Sequence, residues 1–511
     1  MSFYLTTPIY YVNAEPHLGH AYTTVVGDAL ARFHRLLGEE TRFQTGTDEH
    51  GEKVMEAAVK AGLPVKEFAD RISALFRQTW DELDISYDNY VRTTAPEHVQ
   101  VVQNFLQKVH DSGDIYFGDY GGLYCFGCEA FYLERDLVDG KCPDHQVEPT
   151  YIKEENYFFR MSRYQDWLID HIKQHPQWIR PERYRNEALA FLKEPLEDLC
   201  ISRPRSRVEW GIPLPFDERY VTYVWFDALL NYLTGLGYPQ GENFGRFWPG
   251  QHLIAKDILK PHGIYWPTML QAGGVEPFQH LNVHGYWQMP QGKMSKSLGN
   301  VVEPRYLAAT YGIDQIRYFF LREMVFGLDA HFSEEALRTR INADLANDLG
   351  NLLARSLGMA FKYRQGVVPP PGVPEDLDKE VALLAQAVAG DFLELFPNLE
   401  FPKALARLWE YINHLNRYIV ACAPWELAKD PQGAGRLDTV LYHLLEGLRW
   451  LAALLRPVMP KSALKMSEQL GLGLTLWDLP LRQVLKWGRL LPGSTLKKGP
   501  ALFPRIEGEE K

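Results

Sequence analysis

Near the amino terminus the run SFYLTTPIYYV reads as a strand and AYTTVVGDALARFHRLLG as an amphipathic helix, with NAEPHLGH, residues 13–20, at the junction. The alternation continues. EETRFQTGT is a second strand candidate, and LPVKEFADRISALFRQTWDELDI repeats apolar residues at Val65, Phe68, Ile72, Leu75 and Phe76 with a helical period. Strands alternating with helices predict an open α/β sheet. In such a sheet ligands bind outside the carboxyl ends of the strands, where a helix N-terminus offers its unpaired N–H groups. Gly19 would let the backbone come close to a flat ligand there, and His17 and His20, one turn apart, would face anionic oxygens.

The alternating texture holds over residues 1–115 and resumes at 221–290 with RYVTYVWFDALLNYL and QHLIAKDILKPHGIYWPTML. Between them, 116–220 carries short strand-like pieces, a cysteine cluster and the Arg-rich CISRPRSRVEWGIPLP, the texture of an inserted domain. Residues 291–332 form a loop and connecting region. After Ser333 the chain turns helical, with Leu337, Ile341, Leu345, Leu349, Leu353 and Leu357 recurring every four residues. GVVPPPGVPEDLD reads as a linker, and further helices fill the rest of 333–511.

A chain of 511 residues, 46% apolar, exceeds what one hydrophobic core can organise. It contains no apolar run of ~18 residues, so no membrane span is expected. MSFYLTTPIYY lacks a basic stretch followed by an apolar one, so it is read as the first strand of a cytoplasmic protein rather than a secretory signal. The net charge of −11 argues against general coating of nucleic acid, yet leaves room for a tRNA-sized partner held by local Lys and Arg.

Of the five cysteines, Cys125, Cys128 and Cys142 cluster, while Cys200 and Cys422 are isolated. CFGCEAFYLERDLVDGKCPDH gives C-x₂-C, thirteen residues, then C-x₂-H. Cys125, Cys128, Cys142 and His145 make a closed tetrahedral set, which predicts one structural zinc.

QGKMSKSLGN, residues 291–300, places two lysines three apart in a loop able to close. HLGH after the first strand and KMSKS after the last sheet segment, in that order, resemble the two signatures of class I aminoacyl-tRNA synthetases. The resemblance implies a Rossmann-type catalytic domain that joins an amino acid to ATP. It gives His17, His20, Lys293 and Lys296 the catalytic role, and Asn13, Gly19, Ser295 and Ser297 the remaining contacts to ATP, which arrives with Mg²⁺. An ionised carboxylate attacking the α-phosphorus needs no general base. It needs positioning and stabilisation of charge on phosphate oxygens, which imidazole N–H groups and ammonium groups supply.

TTPIYYVNAEPHLGHAYT, GTDEHGEK, YVWFDALLNYL, KDILKPHGIYWP and HGYWQMPQGKMSKSLGN are similar to the methionyl-tRNA synthetases, nearly end to end. Synthetases for valine, isoleucine and leucine carry a large editing insertion, whereas this insertion is short. The resemblance implies a methionine pocket of Ile9, Tyr11, Trp225, Ala228, Leu229, Tyr232, Ile258, His262 and Trp266, with Asp48 facing the ammonium group. Trp and Tyr rings suit a polarizable thioether, and Tyr232 with His262 offers hydrogen bonds to sulfur that leucine could not accept. Leu229 stands where some relatives carry proline. Many relatives complete the zinc set with a fourth cysteine, where this chain has His145. In cysteinyl-tRNA synthetase zinc holds the substrate thiol with ligands around the core, whereas all four candidates here fall in one knuckle.

The family's anticodon readers map onto Asn351, Arg355 and Trp425. Asn351 and Arg355, four apart, share a helix face, and hydrogen bonding with stacking is how splayed RNA loops are read. Taken alone, Trp425 beside a proline turn also fits ordinary packing. The expected partners are methionine, ATP and a methionine tRNA, initiator or elongator, and the expected state is a monomer. A silent tRNA-binding paralogue and a small-molecule nucleotidyltransferase are the competing readings. Intact signatures disfavour the first, and the long helical region disfavours the second.

Overall fold

The computed structural model describes residues 2–125, 130–132, 134–143, 146–289, 292–293, 302–473 and 477–507. Its centre is a six-stranded parallel sheet ordered β3-β2-β1-β12-β13-β7. The strands are β1 (Ser2–Tyr11), β2 (Glu40–Asp48), β3 (Asn89–Arg92), β7 (Ile179–Arg180), β12 (Gln251–Ala255) and β13 (His280–His284). Sequence order reverses between β1 and β12, the crevice where an open α/β sheet binds its ligands. The short β7 lies inside the 116–220 stretch yet joins the parallel sheet beside β13, so the chain returns to the core partway through that stretch.

The first helix, Leu18–Leu36, buries Ala21, Val25, Ala29 and Phe33 against the sheet and carries Arg35, a cation suited to a helix C-terminus, in its last turn. Its N-cap is His17, whose ring accepts the Gly19 N–H, while the His20 ring accepts the His17 N–H. Two histidines thus build a reciprocal capping box.

The inserted stretch forms an antiparallel sheet ordered β5-β4-β6-β8, from β4 (Ile115–Cys125), β5 (Ala130–Tyr132), β6 (Thr150–Phe159) and β8 (Leu199–Cys200). Beside it, β9 (Ser202–Pro204), β10 (Pro213–Leu214) and β11 (Asp217–Thr222) make a second small sheet. A third joins β14 (Trp287–Met289), β15 (Gly292–Lys293) and β16 (Ala330–His331).

Helices Asp376–Leu395, Phe401–Cys422 and Ala434–Leu455 form the C-terminal bundle, whose core is continuous with that of the sheet. The Phe33 ring lies 5.0 Å from that of Phe396. A buried ion pair reinforces the join: Arg317 donates to Asp28 of the first helix at 2.6 Å and to the Val458 carbonyl at 3.0 Å.

The four-residue apolar repeat after Ser333 is not one regular α-helix. Ser333 caps it by accepting the Ala336 N–H; Glu334–Arg340 is α-helical, Ile341–Gly350 is a π-helix, and Asn351–Arg364 is α-helical again. A strict four-residue repeat drifts ~40° per step around an α-helix. The wider π turns offset that drift, so all six repeat residues, from Leu337 to Leu357, stay buried. No helix among the described residues is long and apolar enough to cross a membrane.

Candidate active site

A cavity of about 420 Å³ opens at the carboxyl ends of β1, β2, β12 and β13. From β1 come Ile9 and Tyr11, followed by Asn13, His17, Gly19 and His20; Asp48 ends β2. The helix Val224–Ala228 supplies Trp225 and Ala228, and Leu229 and Tyr232 follow it. Ile258 and His262 come from the segment after β12. Trp266 stands behind this wall, its ring 5.9 Å from that of Tyr232 and its indole N–H donating to His252 Nε2 at 3.1 Å.

The histidine rings of the first signature stack 3.7 Å apart at 19°. His17 Nδ1 accepts the Gly19 N–H at 3.1 Å and His20 Nδ1 accepts the His17 N–H at 3.3 Å, which places each neutral ring's hydrogen on Nε2. Burial, reinforced by His17, pushes the His20 pKa well below the ordinary imidazole value. His20 is therefore a neutral ring that offers an N–H rather than a positive charge.

Tyr232 Oη lies 2.7 Å from His262 Nε2, and His262 Nδ1 lies 2.9 Å from the Ile258 carbonyl. Burial pushes His262 down to about 4, so the ring is neutral near pH 7. A carbonyl only accepts, so Nδ1 carries the hydrogen and Tyr232 donates to Nε2. The two protons that the sequence argument aimed at sulfur are committed within the protein.

Behind Trp225, Asp227 accepts from His50 Nδ1 and His98 Nε2, each at 2.7 Å. Burial raises this carboxyl, but the two imidazoles outweigh it and hold Asp227 below the ordinary carboxylate range. His50 follows Asp48 by two residues, so one buried carboxylate fixes the helix bearing Trp225 to the strand end bearing Asp48.

The cavity also takes in residues that sequence reasoning did not single out: Lys53, Asp257, His284 and Tyr286. All four lay inside quoted motifs (GTDEHGEK, KDILKPHGIYWP and HGYWQMPQGKMSKSLGN), which was the signal available. Lys53 sits over the Tyr11 ring, 5.9 Å from its centroid. The second signature is placed only in part: Lys293 pairs with Gln288 in the β14–β15 ladder, while Ser295, Lys296 and Ser297 lie outside the described residues.

Of the predicted metal ligands, Cys125 ends β4 opposite Ala130, and Cys142 opens a turn closed by its N–H to the Val147 carbonyl at 2.9 Å. Both are buried. Cys128 and His145 lie outside the described residues. Among the described residues no three His, Cys, Asp or Glu side chains gather as a metal site.

In the helical region Asn351 is exposed and Arg355 half-buried, one turn apart directly after the π-helical segment. Arg355 borders an open groove with Asn413, Asn416, Arg417, Val420 and Ala421. Trp425 is 40% exposed, more than a tryptophan serving only to pack the bundle.

A parallel sheet with a cavity at its switch point, a histidine pair capping the first helix and a helical bundle behind it are the parts of a class I tRNA synthetase. The family described as "tRNA synthetases class I (M)" matches residues 3–151 and 145–357, and "Anticodon binding domain of methionyl tRNA ligase" matches 368–511. The chain belongs to the methionyl branch of the class I tRNA synthetases. It is 47% identical to the methionine–tRNA ligase of Caldanaerobacter subterraneus subsp. tengcongensis, over 100% of this chain and 80% of that protein. It superimposes on Mycobacterium tuberculosis methionyl-tRNA synthetase in complex with methionyl-adenylate with a TM-score of 0.94, at 41% identity, covering 99% of this chain and 100% of the other. The apo form of that enzyme gives 0.88 at 38% identity, covering 99% and 98%.

Proposed function

We propose that this protein is a methionine–tRNA ligase. It activates L-methionine with ATP and transfers the methionyl group to the 3′ end of its tRNA. The observation that carries the reading is the cavity that gathers the paired histidines, Asp48 and the Trp225–Tyr232 wall at the switch point of the sheet. The similarity to an enzyme solved with methionyl-adenylate supports it.

In the first step a methionine carboxylate oxygen attacks the α-phosphorus, the bond to the bridging oxygen breaks, and pyrophosphate leaves. His17 and His20 stabilise the charge gathering on phosphate oxygens, Lys293 and Lys296 close over it, and Asn13, Gly19, Ser295 and Ser297 hold ATP with its Mg²⁺. Asp48 takes the ammonium group of methionine. In the second step the terminal ribose hydroxyl attacks the carbonyl carbon and AMP leaves. Asn351, Arg355 and Trp425 read the anticodon.

One zinc would be held by Cys125, Cys128, Cys142 and His145; it supplies no chemistry to the reaction and orders the tip of the inserted domain. The division at 115, 220, 290 and 332 stands as part of the proposal, with β7 contributed from within the insertion to the catalytic sheet. The protein acts in the cytoplasm as a monomer, and sedimentation at micromolar concentration tests the latter. Methionine-dependent exchange of pyrophosphate into ATP, followed by charging of methionine tRNA, tests the activity. Absence of exchange in folded protein refutes it.

A further inference from the structure

The hairpin that carries Lys293 of the second signature has its root tied down by one side chain outside both signatures. Asp329 Oδ1 accepts the Tyr286 N–H at 2.8 Å and Lys256 Nζ at 2.8 Å. Its Oδ2 accepts Lys256 Nζ at 2.7 Å and Gln288 Nε2 at 3.1 Å. Lys256 also lies over the Tyr286 ring, 4.6 Å from its centroid. Tyr286 lines the cavity, and the next residues are β14, which turns back into β15 and Lys293. Lys256 opens the short turn that carries Asp257 and Ile258 on another wall of the same cavity.

The segment carrying Asp329 is itself fixed. Its continuation, β16, runs parallel to β14 with Trp287 opposite Ala330 and Gln288 opposite His331. Tyr184 donates to the Gly327 carbonyl at 2.9 Å. At Gly285 a Cβ would come within 2.4 Å of the Leu328 backbone, so only glycine permits this approach. The strap therefore presses directly against the hairpin root.

We propose that Asp329 is a positioning residue for methionine activation, holding the root of the signature hairpin in register with the wall that carries Asp257 and Ile258. The inference rests on the ligase reading and deepens it. Asp329 and Lys256 side chains are 32% and 30% exposed, and ion pairs this open to solvent contribute little to global stability. Their concentration on a single carboxylate is explained by geometry. The reaction depends on alignment of carboxylate, α-phosphorus and charge-stabilising groups, and a displacement of ~1 Å in such a site costs as much as ~10²-fold in rate.

The experiment compares wild type, Asp329→Ala, Asp329→Glu, Lys256→Met and the Asp329→Ala/Lys256→Met double variant. Pyrophosphate exchange, methionine affinity by equilibrium titration and melting temperature are measured on each. Asp329→Ala should lower the exchange rate about 10- to 100-fold at saturating methionine and ATP, with methionine affinity within about 2-fold. Its melting temperature should stay within ~4 °C of wild type. Lys256→Met approaches the clamp from the other wall and should lower the rate about 3- to 10-fold, the double variant losing less than the product of the two. Asp329→Glu should recover part of the rate. Wild-type exchange in both single variants overturns the proposal, as does a loss that follows methionine affinity or melting temperature. An inactive, folded wild type refutes the ligase reading, and this proposal falls with it.

Discussion

The Tyr232 hydroxyl and His262 Nε2 lie 2.7 Å apart, deep in the wall of the cavity, with His262 Nδ1 anchored 2.9 Å from the Ile258 carbonyl. This chain of donors is internally satisfied. On the ligase reading, a thioether entering the cavity would meet two polarizable rings held rigid by each other, and selectivity would follow from the shape and polarizability of that wall. Tyr232→Phe would leave a buried imidazole acceptor without a partner, a cost of about 1–3 kcal/mol. The expected result is a lowered melting temperature in ligand-free protein, with the preference for methionine over leucine changed less than about 3-fold. Exchange with both amino acids and thermal unfolding on one sample check it; collapse of the preference with unchanged melting refutes it.

The neutral state of His20 gives a second prediction. If a cation were required, activity would decline as pH rises through the ordinary imidazole value of ~6.5. Because burial holds the ring neutral well below that, the exchange rate should show no histidine-like loss between about pH 6.5 and 8. Replacing His20 or Lys296 by alanine should lower the activation rate roughly 10²–10³-fold, with smaller effects on methionine affinity. Near-normal exchange in both variants refutes the assignment.

Why some of this was legible in the sequence and some was not has physical reasons. The junction at residues 13–20 is a local device: strand, turn and helix start are neighbours along the chain, so periodicity exposes them. The pocket aromatics sit in motifs whose spacing survives in sequence. Asp329 has no such mark, because its meaning comes from Lys256 and Tyr286, which only folding brings near. The two-residue β7 carries no period at all, and its place beside β13 is decided by partners about a hundred residues later. The π-helical segment was visible only as a repeat slightly too long for an α-helix, from Leu337 to Leu357.

Acid should destabilise the fold earlier than carboxylate protonation alone would. His20, His252, His262 and His284 are buried with pKa values driven below the ordinary one by burial, to about 4 for His262 and His284. Between ~6.5 and the folded values, the unfolded chain binds more protons, so stability falls as pH falls. For His262 and His284 the loss comes to about 2 kcal/mol each by pH 5, and His20 and His252 act in the same direction. Asp28 and Asp227, held below the ordinary carboxylate range, lose their contribution only at lower pH. Denaturant unfolding at pH 7, 6 and 5 should show a steady decline over that window, and a flat profile contradicts it.

Metal removal should separate the insertion from the core. Gently purified protein should contain about one zinc per chain. The Cys125→Ser/Cys142→Ser variant should lose it and become protease-sensitive near residues 125–147, while the parallel sheet, built without that region, keeps its cooperative melting. Elemental analysis finding no zinc in wild type, or none lost from the variant, contradicts the assignment.

The last prediction concerns the anticodon. Trp425 follows the helix Phe401–Cys422, and Arg355 borders a groove with Asn416 and Arg417 of that helix. These residues lie in the helical bundle, while the activation cavity is at the sheet, so their loss should spare adenylate formation and impair charging. An exposed indole offers a stacking face worth about 1–3 kcal/mol, so Trp425→Ala should weaken tRNA use roughly 5- to 150-fold. Arg355→Ala should narrow the gap between methionine tRNA and a tRNA with the wrong anticodon, because a guanidinium discriminates through base edges. If Trp425 only packed the bundle, its removal would lower stability and leave anticodon preference unaltered. With the indole 40% exposed, its removal should cost less than that of a fully buried tryptophan, so the melting temperature should stay close to wild type. Exchange, aminoacylation and melting measured on the same Trp425→Ala sample decide it: intact exchange and folding with impaired charging is the expected result, and a large melting drop with unchanged anticodon preference defeats the assignment.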